Sequence, residues 1–361
     1  MFAGTEGSER GDQVTDAEIT ELGDANGWNI AAMARAAGKA SGGGGFGRRV
    51  RRLRDELGRG PSLEMDAPPS PDLSVEEIIA LRKRRFELQH DNAEARKLIA
   101  VTVRDRGLLP IGILHHGDPH LDSPGSDLDL LLRHAGLIRE TEGLWASSVG
   151  DLRDNWIGRL AHLWEQQGMT GSESWKLAEH WIKNEIGPAK WLYLVAGNHD
   201  LWTGSGDPLA WISAQSGALY QSSEVRIALK FKGAADVRVN CRHDFAGHSQ
   251  WNSAHGPLKA VMMGVRDHIA ICGHRHVSGY NITKDPETGI LCHAIRVATY
   301  KRFDRYAQEH GFRDQNVSPC ALTTIDPRLP PTHPDLVKLW HDPEEGVAVL
   351  KWSRARKKVS A

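Results

Sequence analysis

Short apolar runs that end in polar residues recur between about residue 97 and residue 300 of the chain. Runs of four to six apolar residues, as at 111–114, 191–196 and 268–272, predict buried strands. Helical stretches such as 155–167 and 174–184 lie between them. Alternation of this kind predicts an α/β layered domain whose polar residues collect at the strand ends.

The two ends of this region carry further strand-like segments. Residues 98–103 and 108–114 predict a strand pair that leads into the first polar cluster. Near the C-terminus, residues 336–340 and 346–352 predict a closing hairpin, and the basic residues 354–358 predict a solvated tail.

The first 60 residues predict a separate, all-α module. A helix beginning at Asp16 ends near the turn at 26–27, a second spans 30–38, and a third spans 46–57. The third helix carries five arginines between 48 and 54. A helix, a turn and an arginine-rich helix resemble a helix-turn-helix DNA-binding module. A solvated basic helix in a small bundle is the alternative.

Residues 61–96 predict a linker followed by a helix. The stretch 58–72 is rich in Pro, Gly and Ser, which is typical of a linker. Residues 74–95 have helical periodicity, and the domain that carries the chemistry is expected over 97–361.

Composition narrows the class of protein. The 361 residues are 40% hydrophobic and 25% charged with a net charge of −1, as in an ordinary globular protein without strong overall attraction to nucleic acid. No apolar stretch reaches 18 residues, so we expect no membrane partner. The four cysteines form no CxxC pair, which favours the cytoplasm.

Five clusters of oxygen and nitrogen ligands follow the apolar runs. In chain order, they contain Asp118 and His120; Asp151 and Asp154; Asn198 and His199; His243; and His274 and His276. Carboxylate, amide and imidazole ligands without a thiolate suit Mn²⁺, Fe, Zn²⁺ or Mg²⁺. Two such ions about 3.5–4 Å apart can activate a water and stabilise an in-line displacement at phosphorus.

A proton donor for the leaving group is also present. His199 lies beside the ligand Asn198 and is placed to supply that proton. Asp154, three residues after Asp151, is predicted to hold the His199 imidazole and keep it protonated by its negative charge.

The ordered set D-x-H, GD-x-x-D-N, GNHD, a single His and GH-x-H resembles the calcineurin-like metallophosphoesterase family over about residues 97–300. The resemblance implies a two-sheet α/β sandwich, flanked by helices, with ligands at the strand ends. It implies one metal on Asp118, His120, Asp151 and His276. It implies a second metal on Asp151, Asn198, His243 and His274, with His199 as general acid. We expect Mn²⁺ at both positions.

The chain departs from this pattern at two positions. Asn155 stands where the protein Ser/Thr phosphatases of the family have an arginine, so a phosphoprotein substrate is disfavoured and Asn155 is a candidate substrate contact. His243 is followed by Asp244 rather than by glycine, which makes His248 a rival ligand, although His243 ends a strand-like run. His255 is a second candidate substrate contact, with a loop residue as the alternative.

Three functions follow from these patterns. The first is a metal-dependent phosphodiesterase or nuclease, with DNA as the candidate substrate. The second is a phosphomonoesterase or nucleotidase, and the third is a non-catalytic DNA-binding scaffold. The combination of a helix-turn-helix-like module with a phosphoesterase resembles proteins carried by phages.

Overall fold

The structure is a computed structural model that describes residues 14–40, 44–59, 72–104, 107–203, 206–312 and 314–356. The chain divides into two compact units, Met1–Arg82 and Lys83–Ala361. The predicted linker residues 60–71 lie outside the described residues, as do residues 357 and 358 of the predicted tail. The three-part division into 1–60, 61–96 and 97–361 remains a prediction.

The N-terminal unit is a small bundle of the three expected helices, α1 (Asp16–Ala25), α2 (Ile30–Ala36) and α3 (Gly45–Glu56). Thr15 and Asn29 cap the first two helices. Five buried side chains form its core: Ile19, Trp28, Met33, Val50 and Leu53.

Two of the α3 arginines serve the bundle itself. Arg49 pairs with Asp16, and Arg52 lies 2.9 Å from the same carboxylate. These contacts fix α3 against α1. The likeness to a helix-turn-helix module remains a prediction.

Helix α4 (Val75–Arg96) follows, as the periodicity predicts. Ser74 and Glu77 form a reciprocal pair of hydrogen bonds at its start, with N···O distances of 2.8 and 3.2 Å. None of its side chains is buried against the described part of the chain.

Within the described ranges, twelve strands form two mixed six-stranded sheets. The first sheet has the order β12-β11-β2-β3-β4-β5 and the second the order β1-β6-β7-β8-β10-β9. The first contains β2 (Ile111–His116), β3 (Leu144–Ser148), β4 (Trp191–Val195), β5 (Leu219–Gln221), β11 (Cys320–Ile325) and β12 (Val337–Trp340). The second contains β1 (Ile99–Val103), β6 (Glu224–Phe231), β7 (Val237–Arg242), β8 (Ile269–Cys272), β9 (Gly279–Lys284) and β10 (Leu291–Arg296).

Helices flank these sheets. The remaining α-helices are α5 (Leu128–Glu140), α6 (Gly171–His180), α7 (Asn198–Leu201), α8 (Pro208–Ser216), α9 (His255–Met263), α10 (Arg305–Glu309) and α11 (Pro343–Ala355). A π-helix (Trp181–Ile186) and two 3₁₀ helices (Gly158–Gln166 and Pro188–Lys190) complete the described elements.

The main core lies between the two sheets, because strand side chains alternate between faces. Ile111 and Ile113 of β2 share this core with Val239 and Ile271 of the second sheet. Leu114 points to the opposite face, where α5, α11 and the π-helix cover the first sheet. The predicted two-sheet α/β sandwich flanked by helices is therefore confirmed.

Two details of the prediction are corrected. Strands β1 and β2 do not pair, because β1 joins β6 in one sheet while β2 joins β3 and β11 in the other. The C-terminal hairpin is also wrong: β12 pairs with β11, and residues 346–352 lie in α11. Asp342 caps this helix and Pro343 occupies its first turn, both of which favour a helix start.

The predicted solvated tail begins with a buried residue. Arg354 donates a hydrogen bond of 2.8 Å to the Pro110 carbonyl and lies 2.9 Å from the Glu142 carboxylate. Its guanidinium is therefore part of the packing between α11 and the start of β2. Within the described residues, no helix combines the length and the apolar character needed to cross a bilayer.

The topology brings the polar clusters to one edge. Strands β2, β3 and β4 run parallel in the first sheet, and β7, β8 and β10 run parallel in the second. The ligand clusters follow the carboxyl ends of β2, β3, β4, β7 and β8, where loops of an α/β sheet ordinarily build sites.

Candidate metal centre

Three ligands converge at what we call the first half-site: Asp118, His120 and His276. One ligand atom from each lies within 4.8 Å of the others. The Nε2 atoms of His120 and His276 are 3.1 Å apart, and His276 Nε2 is 3.5 Å from Asp118 Oδ2. Asp118 and His120 are fully buried, and His276 is partly exposed.

The second half-site contains Asp151, Asn198, His243 and His274. Its carboxylate and two imidazoles again lie within 4.8 Å of one another. His243 Nε2 is 3.1 Å from Asp151 Oδ2, 3.0 Å from Asn198 Oδ1 and 2.9 Å from His274 Nδ1. The structure thus brings all seven predicted ligands to these two half-sites.

Strained backbone shapes the ligand loops. Among the described non-glycine residues, positive φ angles occur at four of the seven predicted ligands: His120 (42°), Asp151 (51°), His274 (71°) and His276 (54°). Such conformations cost about 1–3 kcal/mol each and persist where the surrounding structure over-determines them. Their concentration here makes this edge the candidate functional part of the sandwich.

Two glycines allow the loops to approach the carboxylates. A Cβ atom on Gly197 would overlap Asp151 Oδ1, and one on Gly273 would overlap Asp118 Oδ1. Each half-site therefore has a glycine against its carboxylate, because no other residue leaves that space free.

Oxygen atoms lie behind three of the imidazoles. His120 Nδ1 lies 2.8 Å from Asp154 Oδ1, and His276 Nδ1 lies 3.3 Å from Asp304 Oδ2. His243 Nδ1 lies 2.9 Å from the Val149 carbonyl oxygen. An imidazole whose Nδ1 faces an oxygen in this way turns Nε2 to the centre, as metal-ligating histidines do.

Burial and neighbouring charges shift the pKa values of the groups at the centre. Burial raises the pKa of the Asp118 carboxyl to about 7 and lowers the pKa of His120 to about 4. Burial alone would also lower the pKa of His243, but the Asp151 and Asp118 carboxylates raise it to about 10. His243 and His199 hold the pKa of Asp151 well below its usual range despite its burial.

These groups fit divalent cations. Asp118 Oδ1 is buried and has no hydrogen-bond partner among the described residues. Within each half-site two imidazole nitrogens face each other at 3.1 or 2.9 Å, so that one must donate a proton unless a cation accepts both lone pairs. A divalent cation that takes oxygen and nitrogen ligands would coordinate both the buried Asp118 oxygen and the facing imidazole nitrogens.

His199 is held at the edge of the centre. Its backbone N–H donates to Asp151 Oδ1 at 3.0 Å, and its Nε2 lies 3.9 Å from Asp151 Oδ2. Trp156 and Trp202 contact its ring, with centroids at 4.9 and 4.5 Å.

Asp154 holds the His199 imidazole differently from the prediction. His199 Nδ1 donates to the backbone carbonyl of Asp154, not to its carboxylate. The carboxylate binds His120 and the Lys301 ammonium, 2.8 and 3.1 Å away. The positive φ at Asn155 turns the chain directly after Asp154, and the side chain and carbonyl of Asp154 serve different partners.

Asn155 lies beneath the loop that carries His199. Its amide nitrogen donates to the carbonyls of His199 and Trp202 at 2.8 and 3.0 Å. The prediction gave Asn155 a substrate contact, whereas the structure uses its buried amide to position this loop.

His255 and His248 both line the cleft over the centre. His248 Nδ1 is 3.1 Å from an Arg275 nitrogen, so the structure brings His243 and not His248 to Asp151 and His274. A substrate contact by His255 remains a prediction.

Sequence reasoning missed three charged residues. Lys301 and Asp304 follow β10 and contact Asp154 and His276, and Asp200 accepts hydrogen bonds from the backbone of Gly197 and Leu152 at 2.9 and 3.0 Å. Lys301 and Asp304 follow an apolar run, the same signal that marked the ligands. Asp200 is the last residue of the GNHD motif.

An open cleft of about 1140 Å³ leads to the centre. Its lining includes His120, His199 and His276, and also the rings of Trp156, Trp202, Tyr306 and Phe312. Four basic side chains contribute to the same lining: Arg275, Arg296, Lys301 and Arg302.

Comparison with known proteins gives matches among solved structures. No family model and no curated protein matches the chain. A calcineurin-like phosphoesterase, YfkN from Bacillus subtilis, is similar at 12% identity and a TM-score of 0.29, over 60% of this chain and 85% of that one.

Two further structures are similar at the same identity. A conserved uncharacterized protein from Streptococcus pneumoniae TIGR4, described as a predicted phosphoesterase, has a TM-score of 0.27 over 65% of this chain and all of its own. Vps29 complexed with Zn²⁺ from Entamoeba histolytica has a TM-score of 0.28 over 64% of this chain and 97% of its own.

Proposed function

We propose that the protein is a metal-dependent phosphoester hydrolase that uses two divalent cations and acts on phosphodiesters, with nucleic acid as the substrate class. The observation that carries the proposal is the convergence of seven ligands on two half-sites, with Asp118 Oδ1 buried and unpartnered among the described residues.

In this proposal Asp118, His120 and His276 would hold one cation, and Asn198, His243 and His274 would hold the other. Asp151 would serve both, since its carboxylate lies 3.1 Å from His243 and its charge contributes to raising the pKa of the Asp118 carboxyl. When bound, such a pair of ions polarises phosphoryl oxygens and makes a water acidic enough to attack phosphorus. Oxygen and nitrogen ligands without sulfur suit Mn²⁺, Fe, Zn²⁺ or Mg²⁺, and Mn²⁺ is the metal that we propose.

His199 acts as the proton donor to the leaving group. Its Nδ1 is committed to the Asp154 carbonyl, so Nε2 is the atom that can exchange a proton. The two tryptophan rings and the backbone bond to Asp151 hold that nitrogen at the edge of the centre. A positioned acid of this kind contributes about 10²–10⁴-fold to the rate.

Two observations favour a diester over a monoester. The position after Asp154 carries an amide that is tied to the main chain, so no guanidinium reaches the second charge of a terminal phosphate from there. The cleft of about 1140 Å³ also exceeds an ordinary small-ligand pocket of roughly 300–1,000 Å³ and has room for groups on both sides of phosphorus.

The test combines metal analysis with a substrate panel. We expect two equivalents of metal in the Mn²⁺-loaded protein, and faster turnover of bis-p-nitrophenyl phosphate than of p-nitrophenyl phosphate. Single-stranded and duplex DNA are included as substrates. Asp151→Asn removes the shared charge, and we expect a loss of at least ~10³-fold in kcat/KM, because metal catalysis is worth several kcal/mol.

The matched control is Asp236→Asn, a partly exposed carboxylate paired with Lys230 away from the cleft. Preference for the monoester would replace the diester assignment with a phosphomonoesterase. A protein that binds no metal and turns over no ester would instead be a scaffold with this fold.

A further inference from the structure

A row of aromatic rings runs outward from the centre along the cleft. Trp156 packs on His199, with ring centroids 4.9 Å apart. Tyr306 follows Trp156 at 6.4 Å, and Phe312 follows Tyr306 at 6.3 Å. We call Trp156, Tyr306 and Phe312 the aromatic wall, and all three line the cleft.

Exposure increases along the aromatic wall. Trp156 is 8% exposed, Tyr306 is half-buried, and Phe312 is 63% exposed. Neither Tyr306 nor Phe312 belongs to the hydrophobic cores of the sandwich. The sequence offered core packing as the simpler explanation for the tryptophans, and Trp156 does pack inward. His310 packs against both Tyr306 and Phe312, with ring centroids at 4.2 and 5.7 Å. The parts of the outer two rings that line the cleft leave apolar surface open to a ligand there.

Positively charged side chains lie in the same cleft as the aromatic wall. The Lys301 ammonium lies 5.2 Å from the centre of the Trp156 ring. Arg302 is half exposed and paired with Asp127, Arg275 is paired with Asp244, and both arginines line the cleft. Planar apolar faces next to positive charges complement a ligand that combines flat rings with phosphates.

We propose that the aromatic wall stacks a nucleobase attached to the phosphoester that is cleaved, so that the substrate is an unpaired nucleotide strand or a nucleotide diester. This proposal rests on the proposed function of the same cleft. The bases of an intact duplex stack on each other, so their faces are not available to Tyr306 and Phe312. The unpaired state is therefore the one that this cleft selects.

The experiment separates base binding from phosphate binding and from turnover. The probes are a phosphorothioate oligothymidylate and an abasic phosphorothioate of the same length, both measured by fluorescence anisotropy with the Mn²⁺-loaded full chain. Loss of one base–aromatic stack by substitution costs roughly 5- to 150-fold in affinity. We expect the wild type to prefer the base-bearing strand by that factor.

Variants locate this preference on the wall. We expect Phe312→Leu and Tyr306→Leu to reduce the ratio of the two affinities towards one, and Tyr306→Phe, which keeps the ring, to restore it. The control is Phe86→Leu on α4, an equally exposed phenylalanine (67%) outside the cleft. A thymidine phosphodiester as a third probe shows whether one nucleotide suffices or a strand is needed.

Two results would overturn the proposal: equal affinities for base-bearing and abasic strands in the wild type, or equal effects of Phe312→Leu and Phe86→Leu. Hydrolysis of bis-p-nitrophenyl phosphate is measured separately. A protein that cleaves it without base preference loses only the stacking proposal. A protein that binds bases without cleaving any ester loses the proposed function instead.

Discussion

The two half-sites have similar ligands but different supports. In the first half-site, carboxylates lie behind both imidazoles, with Asp154 on His120 and Asp304 on His276. In the second, the Val149 carbonyl lies behind His243, and His274 points Nδ1 itself toward the centre. Negative charge behind a ligand imidazole raises its basicity, whereas a neutral carbonyl mainly fixes its orientation.

The protonation of the imidazoles also differs between the two half-sites. Burial leaves His120 neutral, since its pKa is lowered to about 4. His243 keeps a proton up to a pKa of about 10 in the metal-free protein, because Asp151 and Asp118 outweigh its burial. A cation entering the second half-site must displace that proton. We therefore expect the first half-site to bind metal more tightly.

The largest effect should come from removing a ligand of the weaker half-site. We expect His243→Ala to lower metal content from two equivalents to one and kcat/KM by at least ~10³-fold. The comparison variant is His248→Ala, the rival histidine that contacts Arg275 instead. Elemental analysis of both proteins decides between them, and loss of metal in the His248 variant alone would reverse the ligand assignment.

A smaller effect should follow from neutralising a carboxylate that lies behind a ligand imidazole. We expect Asp304→Asn to weaken metal binding at the first half-site by about 10–100-fold and leave the second unchanged, because the amide still accepts from His276 but carries no charge. Isothermal titration with Mn²⁺ resolves the two binding steps. Asp335→Asn, an exposed carboxylate near Lys338, serves as the control. Weakening confined to the second step would contradict the proposed supports.

The smallest effect is the dependence on pH. A group whose pKa is raised in the metal-free state competes with the metal below that pKa. Between pH 7.5 and 8.5, which lies above the Asp118 pKa of about 7 and below the His243 pKa of about 10, the second half-site should gain about tenfold in affinity. The first should stay nearly constant. Titrations at the two pH values test this, and equal slopes for both steps would rule out His243 as the proton carrier.

Sequence signals were sufficient to predict that the seven candidate ligands lie together, because each follows an apolar run and shares a strand end with its neighbours. Asp118, Asp151 and His274 are examples of residues whose role is local to one strand and one turn. Contacts between residues that are distant in sequence gave no such signal. The Asp154 carboxylate contacts His120, and the Lys301 ammonium, 147 positions further along the chain, contacts the same carboxylate.

Strand pairing and the C-terminal helix show a second limit. The apolar periodicity of β1 and β2 is alike, yet nothing in it states that the two strands belong to different sheets. Residues 346–352 resemble a strand because Val, Ala and Leu form a short continuous apolar run at 347–350. The cap at Asp342 and the proline at 343 were the stronger local signals for α11.

Asp154 contacts two different histidines, His120 through its side-chain carboxylate and His199 through its backbone carbonyl. A mutational scan would detect its carboxylate, which every substitution changes. The same scan would be blind to the carbonyl that orients His199, because all twenty residues retain it. Replacing the amide linkage after Asp154 by an ester weakens the carbonyl as a hydrogen-bond acceptor. This backbone change would reveal how much the carbonyl contributes to orienting His199, which side-chain substitutions cannot test.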